Sequence, residues 1–213
     1  MRRSIFAAAA MMFCSNALFL VGCADPQADI SVETQDDVSP SLETPPVTVV
    51  TFSNWEGKSI DWGLPPDKKL FAGNSFLNKK APDLVVEKWI GTEPKLEGKF
   101  VLVDFWATWC PPCKEAIPEL NAYAKEFSND LVVIGLSDEP EAKVRAMTTP
   151  IVEYFSAIDT SGRSKEAIGV EGIPHVLLID PSGTVCWQGF PLDDGNALTA
   201  AVIEDCLARY QAE

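Results

Sequence analysis

The chain reads as an α/β sandwich, a central β-sheet flanked by helices, and three observations predict it. Near-continuous apolar runs at residues 100–105 and 131–136 read as strands covered on both faces. Between them Ile117, Leu120, Tyr123, Ala124 and Phe127 recur at helical spacing. Two further strands flank the turn tripeptide Pro181-Ser182-Gly183, and an apolar-periodic stretch at 197–210 closes the chain as a helix. Alternating strands and helices ended by a hairpin make layers on one sheet.

The 213 residues are 46% hydrophobic, enough for one domain with a core and some additional sequence. A formal net charge of −14 argues against nucleic-acid binding and against electrostatic docking on anionic lipid. The six cysteines are spread over a long apolar-rich chain and form no disulfide-scaffold pattern.

Residues 1–22 read as an export signal. Arg2 and Arg3 form its positive end, and residues 5–20 are apolar except for Ser15 and Asn16. The segment ends Leu20-Val21-Gly22-Cys23, which resembles the bacterial lipobox. That resemblance implies cleavage before Cys23, a multiply acylated Cys23 as membrane anchor, and loss of Cys14. The alternative is an uncleaved anchor, and either way the domain is held outside the cytoplasm. Residues 23–50 carry four prolines and no apolar period, so they read as a disordered tether. Residues 51–75 hold Phe52, Trp55, Ile60, Trp62, Leu64, Leu70 and Phe71, too many large apolar groups for a linker. They form an N-terminal extension, packed on the domain or acting as a substrate-contacting flap.

The domain occupies residues 76–213. A strand begins over 81–86, and 93–98 is a turn region. The strand at 100–105 carries one charge, Asp104. The helix after it contains Pro118, which should kink it. A short helix at 140–147, a strand within 151–158 and a short helix at 164–168 follow the strand at 131–136. The hairpin strands span 175–180 and 185–188.

Cys110 and Cys113 lie where the first strand hands over to the helix, with Pro111 and Pro112 between them. A helix N-terminus favours the Cys110 thiolate, while Cys113, one turn in, is protected and able to resolve a mixed disulfide. Prolines suit the first helical turn, and Pro112 removes one N–H donor to the thiolate, so its pKa should be lowered moderately. Half a zinc site is the alternative. It needs two more ligands, yet the chain has one histidine and no second Cys-x-x-Cys, so no metal is expected.

The segment Val103-Asp104-Phe105-Trp106-Ala107-Thr108-Trp109-Cys110-Pro111-Pro112-Cys113-Lys114 closely resembles the thioredoxin active-site segment. Pro118, five residues past Cys113, matches the helix proline of that family, and Gly172-Ile173-Pro174 matches its cis-proline loop. The helix and strand inserted at about 138–158, with the lipoprotein-like signal, resemble the extracytoplasmic TlpA/ResA-like branch. The resemblance implies a thioredoxin-like fold: a central mixed β-sheet flanked by helices with an inserted helix–strand unit. It implies Cys110 as nucleophile, Cys113 as resolving thiol and Asp104 as a buried acid beneath them. It also implies that Trp109 flanks the thiol, that Trp106 packs beneath the loop, and that cis Pro174 exposes the Ile173 backbone to a substrate strand. The residues agree on Asp104: a carboxyl in an apolar strand has a raised pKa and can exchange a proton with Cys113. A carboxylate held by hydrogen bonds without a catalytic role is the alternative, and both tryptophans could serve packing alone.

Three departures stand out. Many TlpA/ResA-like proteins carry Glu three residues after the second cysteine, where this chain has Ala116; Glu115 faces elsewhere on the helix. The lysine that thioredoxin places on the next strand is missing from Val132-Val133-Ile134-Gly135, which would leave Asp104 without a cation. His175, the only histidine, follows Pro174; it is a core or rim group, or it tunes the dithiol. Cys186 and Cys206 fall in apolar surroundings, either as a structural disulfide or as two buried free thiols.

These readings converge on a membrane-tethered thiol–disulfide oxidoreductase that needs no cofactor. Its partners would be disulfide-containing exported proteins, with apo-cytochrome c implied by the resemblance, and a membrane thiol electron donor. It would sit on the periplasmic side, lipid-anchored. The uncharged Pro-Pro pair points to a reductant. The alternatives are a thiol oxidant, a peroxidase-like antioxidant protein, although no peroxidatic motif is present, and a non-catalytic binding lipoprotein.

Overall fold

The computed structural model describes residues 46–52, 55–58, 60–62, 70 and 72–212. The export signal at 1–22, Cys23 and most of the tether lie outside them. Among the described residues no helix is long and apolar enough to cross a membrane.

The strands are β1 (Thr48–Val50), β2 (Leu84–Val86), β3 (Lys88–Trp89), β4 (Phe100–Trp106), β5 (Leu131–Ser137), β6 (Phe155–Ile158), β7 (His175–Ile179) and β8 (Val185–Gly189). The helices are α1 (Pro111–Glu126), α2 (Glu141–Ala146), α3 (Arg163–Ile168) and α4 (Ala200–Ala212). Six strands form the main sheet in the order β3-β6-β5-β4-β7-β8. β4, β5 and β6 are parallel, while β3, β7 and β8 run antiparallel to their neighbours. The sheet is mixed, and α2 with β6 is the inserted unit.

All seven residues of β4 and of β5 are buried, which their unbroken apolar sequence requires of central strands. Alternation along β4 divides the core. Phe100, Leu102 and Trp106 face α1, α2 and α4, with Ile117, Leu120, Val144 and Ile203. Val101, Val103 and Phe105 face the other way, with Ile134, Ile168 and Leu84. Asp104, by the same period of two, belongs to the α1 face. Helix α1 continues through Pro118, which leaves the Lys114 carbonyl without its helical donor.

Two short strands depart from the sequence reading. The tether was expected to run disordered to residue 50, but Thr48–Val50 pairs antiparallel with β2, Thr48 opposite Val86 and Val50 opposite Leu84. The β-branched Thr-Val-Val run suits a strand once a partner edge is present. Lys88–Trp89 pairs with β6 and is too short to show a period.

The described part of the extension packs on the domain. Phe52 is fully buried, its backbone carbonyl against Gly183, where a Cβ would collide with that oxygen and φ is +82°. Trp62 meets Phe100 edge-on and donates its Nε1–H to Asp180 at 3.1 Å. Phe100 opens β4, so this contact lies about 20 Å along the strand from the dithiol end. The flap reading finds no support at Phe52 or Trp62.

Candidate active site

Strand β4 ends at Trp106, the chain turns through Ala107, Thr108 and Trp109, and Cys110 becomes the N-cap of α1 with extended backbone (φ −91°, ψ 107°). Pro111 and Pro112 fill the first two helical positions, where a missing N–H costs nothing. The first amide free to cap is therefore that of Cys113, which donates to Cys110 Sγ at 3.2 Å. Cys110 and Cys113 are joined as a disulfide. Cys110 is 2% exposed and Cys113 fully covered, whereas Trp109 beside them is 67% exposed. Trp106, at the end of β4, is fully buried, its Nε1 beside Gly135.

Across from the disulfide the Ile173–Pro174 bond is cis. The Ile173 carbonyl oxygen lies 3.6 Å from Cys110 Sγ. The active-site turn and the proline loop thus meet at the sulfur itself.

Glu139, 6% exposed, braces that turn. Its Oε2 accepts the Thr108 amide at 2.5 Å and its Oε1 accepts the Thr108 hydroxyl at 2.9 Å. Sequence reasoning passed over it. The available signal was its place just past an apolar strand, since carboxyl ends of parallel strands line sites in α/β sheets.

Asp104 sits on the α1 face of β4, 1% exposed. Buried acids elsewhere are well served: Asp180 takes Ser182 N, the Ser182 hydroxyl, Thr184 N and Trp62 Nε1. Asp104 takes one hydrogen bond, from the Tyr154 hydroxyl to Oδ2 at 3.1 Å, and its Oδ1 has no partner among the described residues. Desolvation therefore dominates and pushes its pKa up to about 7, against the lowering effects of Tyr154 and, more weakly, Lys165. The expected absence of any cation is corrected in part: Lys165 of α3 acts at range, engaged with Asp138 at 2.8 Å. Tyr154 was not singled out in the sequence, because fifty positions separate it from Asp104.

The remaining expected residues fall as follows. Ala116 is buried and Glu115 exposed, so no helix carboxylate approaches the dithiol from those positions. His175 pairs with Phe105 in register, and therefore lies on the face of the sheet away from Asp104 and α1. Its ring is fully buried, with Nε2 at 3.2 Å from Gln188 Nε2. The disulfide considered between Cys186 and Cys206 is not formed; both are free and buried. Burial and the hydrogen-bonded Cys206 thiol push the Cys186 thiol well up. Among the described residues no group of three or more His, Cys, Asp or Glu could hold a metal ion.

Residues 77–188 match the AhpC/TSA family. The thiol-disulfide oxidoreductase ResA of Bacillus subtilis (strain 168) is 30% identical over 124 residues, which cover 54% of this chain and 69% of that protein. A crystal structure from Chlorobium tepidum, assigned as a thiol:disulfide interchange protein DsbE, superposes with a TM-score of 0.50 at 29% identity, over 66% of this chain and 98% of that one. The thioredoxin domain of a Bacteroides vulgatus thiol-disulfide oxidoreductase shares the fold, with a TM-score of 0.50 at 22% identity over 62% of this chain and 95% of that one. With its Cys110–Cys113 disulfide, the chain belongs to the AhpC/TSA family and is a thiol–disulfide oxidoreductase of thioredoxin-like fold.

Proposed function

We propose that the protein reduces disulfides in exported proteins, with Cys110 as nucleophile, Cys113 as resolving thiol and Asp104 as their proton acceptor. The observation that carries this reading is the Cys110–Cys113 pair at the start of α1, with the Ile173 carbonyl 3.6 Å from Cys110 Sγ. In the reduced state the Cys113 amide and the helix dipole stabilise a Cys110 thiolate. That thiolate attacks one sulfur of a substrate disulfide, and the other leaves as a thiolate. Cys113 gives its proton to the Asp104 carboxylate and attacks Cys110 Sγ. The second substrate thiolate departs, and Cys110–Cys113 closes as the disulfide.

An acid titrating near 7 suits a base that works around neutral pH. The Ile173 backbone offers an edge on which an extended substrate segment can pair, and exposed Trp109 offers that segment an apolar contact. A Pro-Pro pair brings no positive charge to the thiolate, which favours reduction over oxidation. The domain spans residues 76–213 behind an N-terminal extension at 51–75. Upstream, the Leu20-Val21-Gly22-Cys23 sequence supports a lipid anchor at Cys23 on the periplasmic side, with electrons supplied by a membrane dithiol.

The test is trapping. Cys113→Ala in the full chain should accumulate mixed disulfides through Cys110 with exported proteins, apo-cytochrome c dithiol segments among them. Absence of such adducts, with insulin reduction equal in Cys110→Ser, overturns the reading in favour of a binding lipoprotein.

A further inference from the structure

A cavity of about 240 Å³ opens between α2, the segment at 147–152 and β6. Its lining includes Trp106, Tyr154, Ser156, Val144, Arg145 and Ile151. Ile151 is 65% exposed, which sets the mouth at the surface. Two lining residues carry buried polar atoms with no partner among the described residues, Trp106 Nε1 and Ser156 Oγ. Asp104 Oδ1 is a third such atom.

Strand register connects them. Asp104 stands opposite Gly135, and Gly135 opposite Ser156, in one row across β4, β5 and β6. Gly135 has no side chain, and a Cβ there would come within 2.8 Å of both Trp106 Nε1 and the Tyr154 ring. The two rings therefore close over Gly135. Tyr154 both lines the cavity and, through its hydroxyl, holds Asp104 Oδ2 at 3.1 Å.

Each of these three atoms is shut off from solvent, so the Tyr154 hydroxyl is the one donor that reaches the Asp104 carboxylate among the described residues.

We propose that Tyr154 is the positioning residue for the proton carried by Asp104. Tyr154 donates to Oδ2 and leaves Oδ1 to receive the Cys113 proton. Tyr154 keeps its own proton, because burial beside Asp104 pushes its pKa well above the usual value. The inference rests on Asp104 acting as the proton acceptor.

The other groups facing Asp104 leave this role to Tyr154. Cys113 of α1 is the proton donor. Lys165 of α3 is paired with Asp138 at 2.8 Å, and Arg145 of α2, at the cavity, with Glu141 at 2.7 Å. On β7 the residue opposite Asp104 is Val176, and His175 lies on the other face. β5 contributes only Gly135.

Infrared titration of the buried carboxyl C=O stretch, in the full-length oxidised protein, tests this. The band should disappear in Asp104→Asn. In Tyr154→Phe, which keeps the ring and should melt near the wild type, its midpoint should rise by about one pH unit or more, because a donor to the ionised form is lost. A midpoint that stays in place in Tyr154→Phe overturns the positioning role. Absence of any titrating band sensitive to Asp104→Asn overturns the Asp104 reading and this inference with it.

Discussion

Glu139 holds Thr108 twice, by its backbone N–H and by its hydroxyl, and so fixes the turn two residues before Cys110. Glu139→Ala would leave that amide without its acceptor in a half-buried turn. The expected loss in urea unfolding is about 1.5–3 kcal/mol, the range for hydrogen bonds to a charged acceptor. Glu139→Gln keeps one acceptor and should lose less. Equal stability of Glu139→Ala and wild type would show that the turn is held by other contacts.

Asp104 makes the stability of the oxidised protein depend on pH. Its folded pKa stands near 7, against 3.8 for a free aspartate. Between those values the folded chain keeps a proton that the unfolded chain has released. Stability therefore falls as pH rises from about 4 to about 7 and is level above. Asp104→Asn removes this dependence. The variant should match the wild type near pH 4 and exceed it at pH 8 by up to about 4 kcal/mol. Denaturant melts at the two pH values measure the difference, and a gap that does not widen would contradict the burial argument.

The direction of electron flow is readable as a potential. Reduction of other proteins calls for a Cys110–Cys113 potential well below that of a strong oxidant. Equilibration with glutathione should place it in the reducing part of the range, and a value above roughly −150 mV would make the protein an oxidant.

Gly135 is a close-approach position with no alternative residue. Gly135→Ala would press a methyl against Trp106 and Tyr154, each 2.8 Å from the new carbon. The expected destabilisation is about 1–3 kcal/mol, the usual cost of overpacking. A weakened Tyr154–Asp104 hydrogen bond should accompany it, seen as an upward move of the Asp104 midpoint.

Some of this was legible in the sequence and some was not. The strands β4 and β5 announced themselves because full burial leaves an unbroken apolar run in the sequence. Cys110, Cys113 and Pro174 lie in short local motifs, and the structure brings the two motifs together. Glu139 and Tyr154 belong to no local motif, for they reach the site from 31 and 50 positions away. The strand at Thr48–Val50 depends on an edge that only the fold supplies. The face that His175 occupies is likewise set by register, which one sequence does not display.

That register has a consequence for how the site could evolve. His175 and Val176 are neighbours in β7, one buried on the far face of the sheet and the other opposite Asp104. A strand slipped by one residue exchanges its two faces. Inserting a single residue between Pro174 and His175 would thus bring an imidazole over the buried carboxyl and remove it from Gln188. Loop length here is an acid–base setting that can change while Cys110, Cys113 and Asp104 all stay in place.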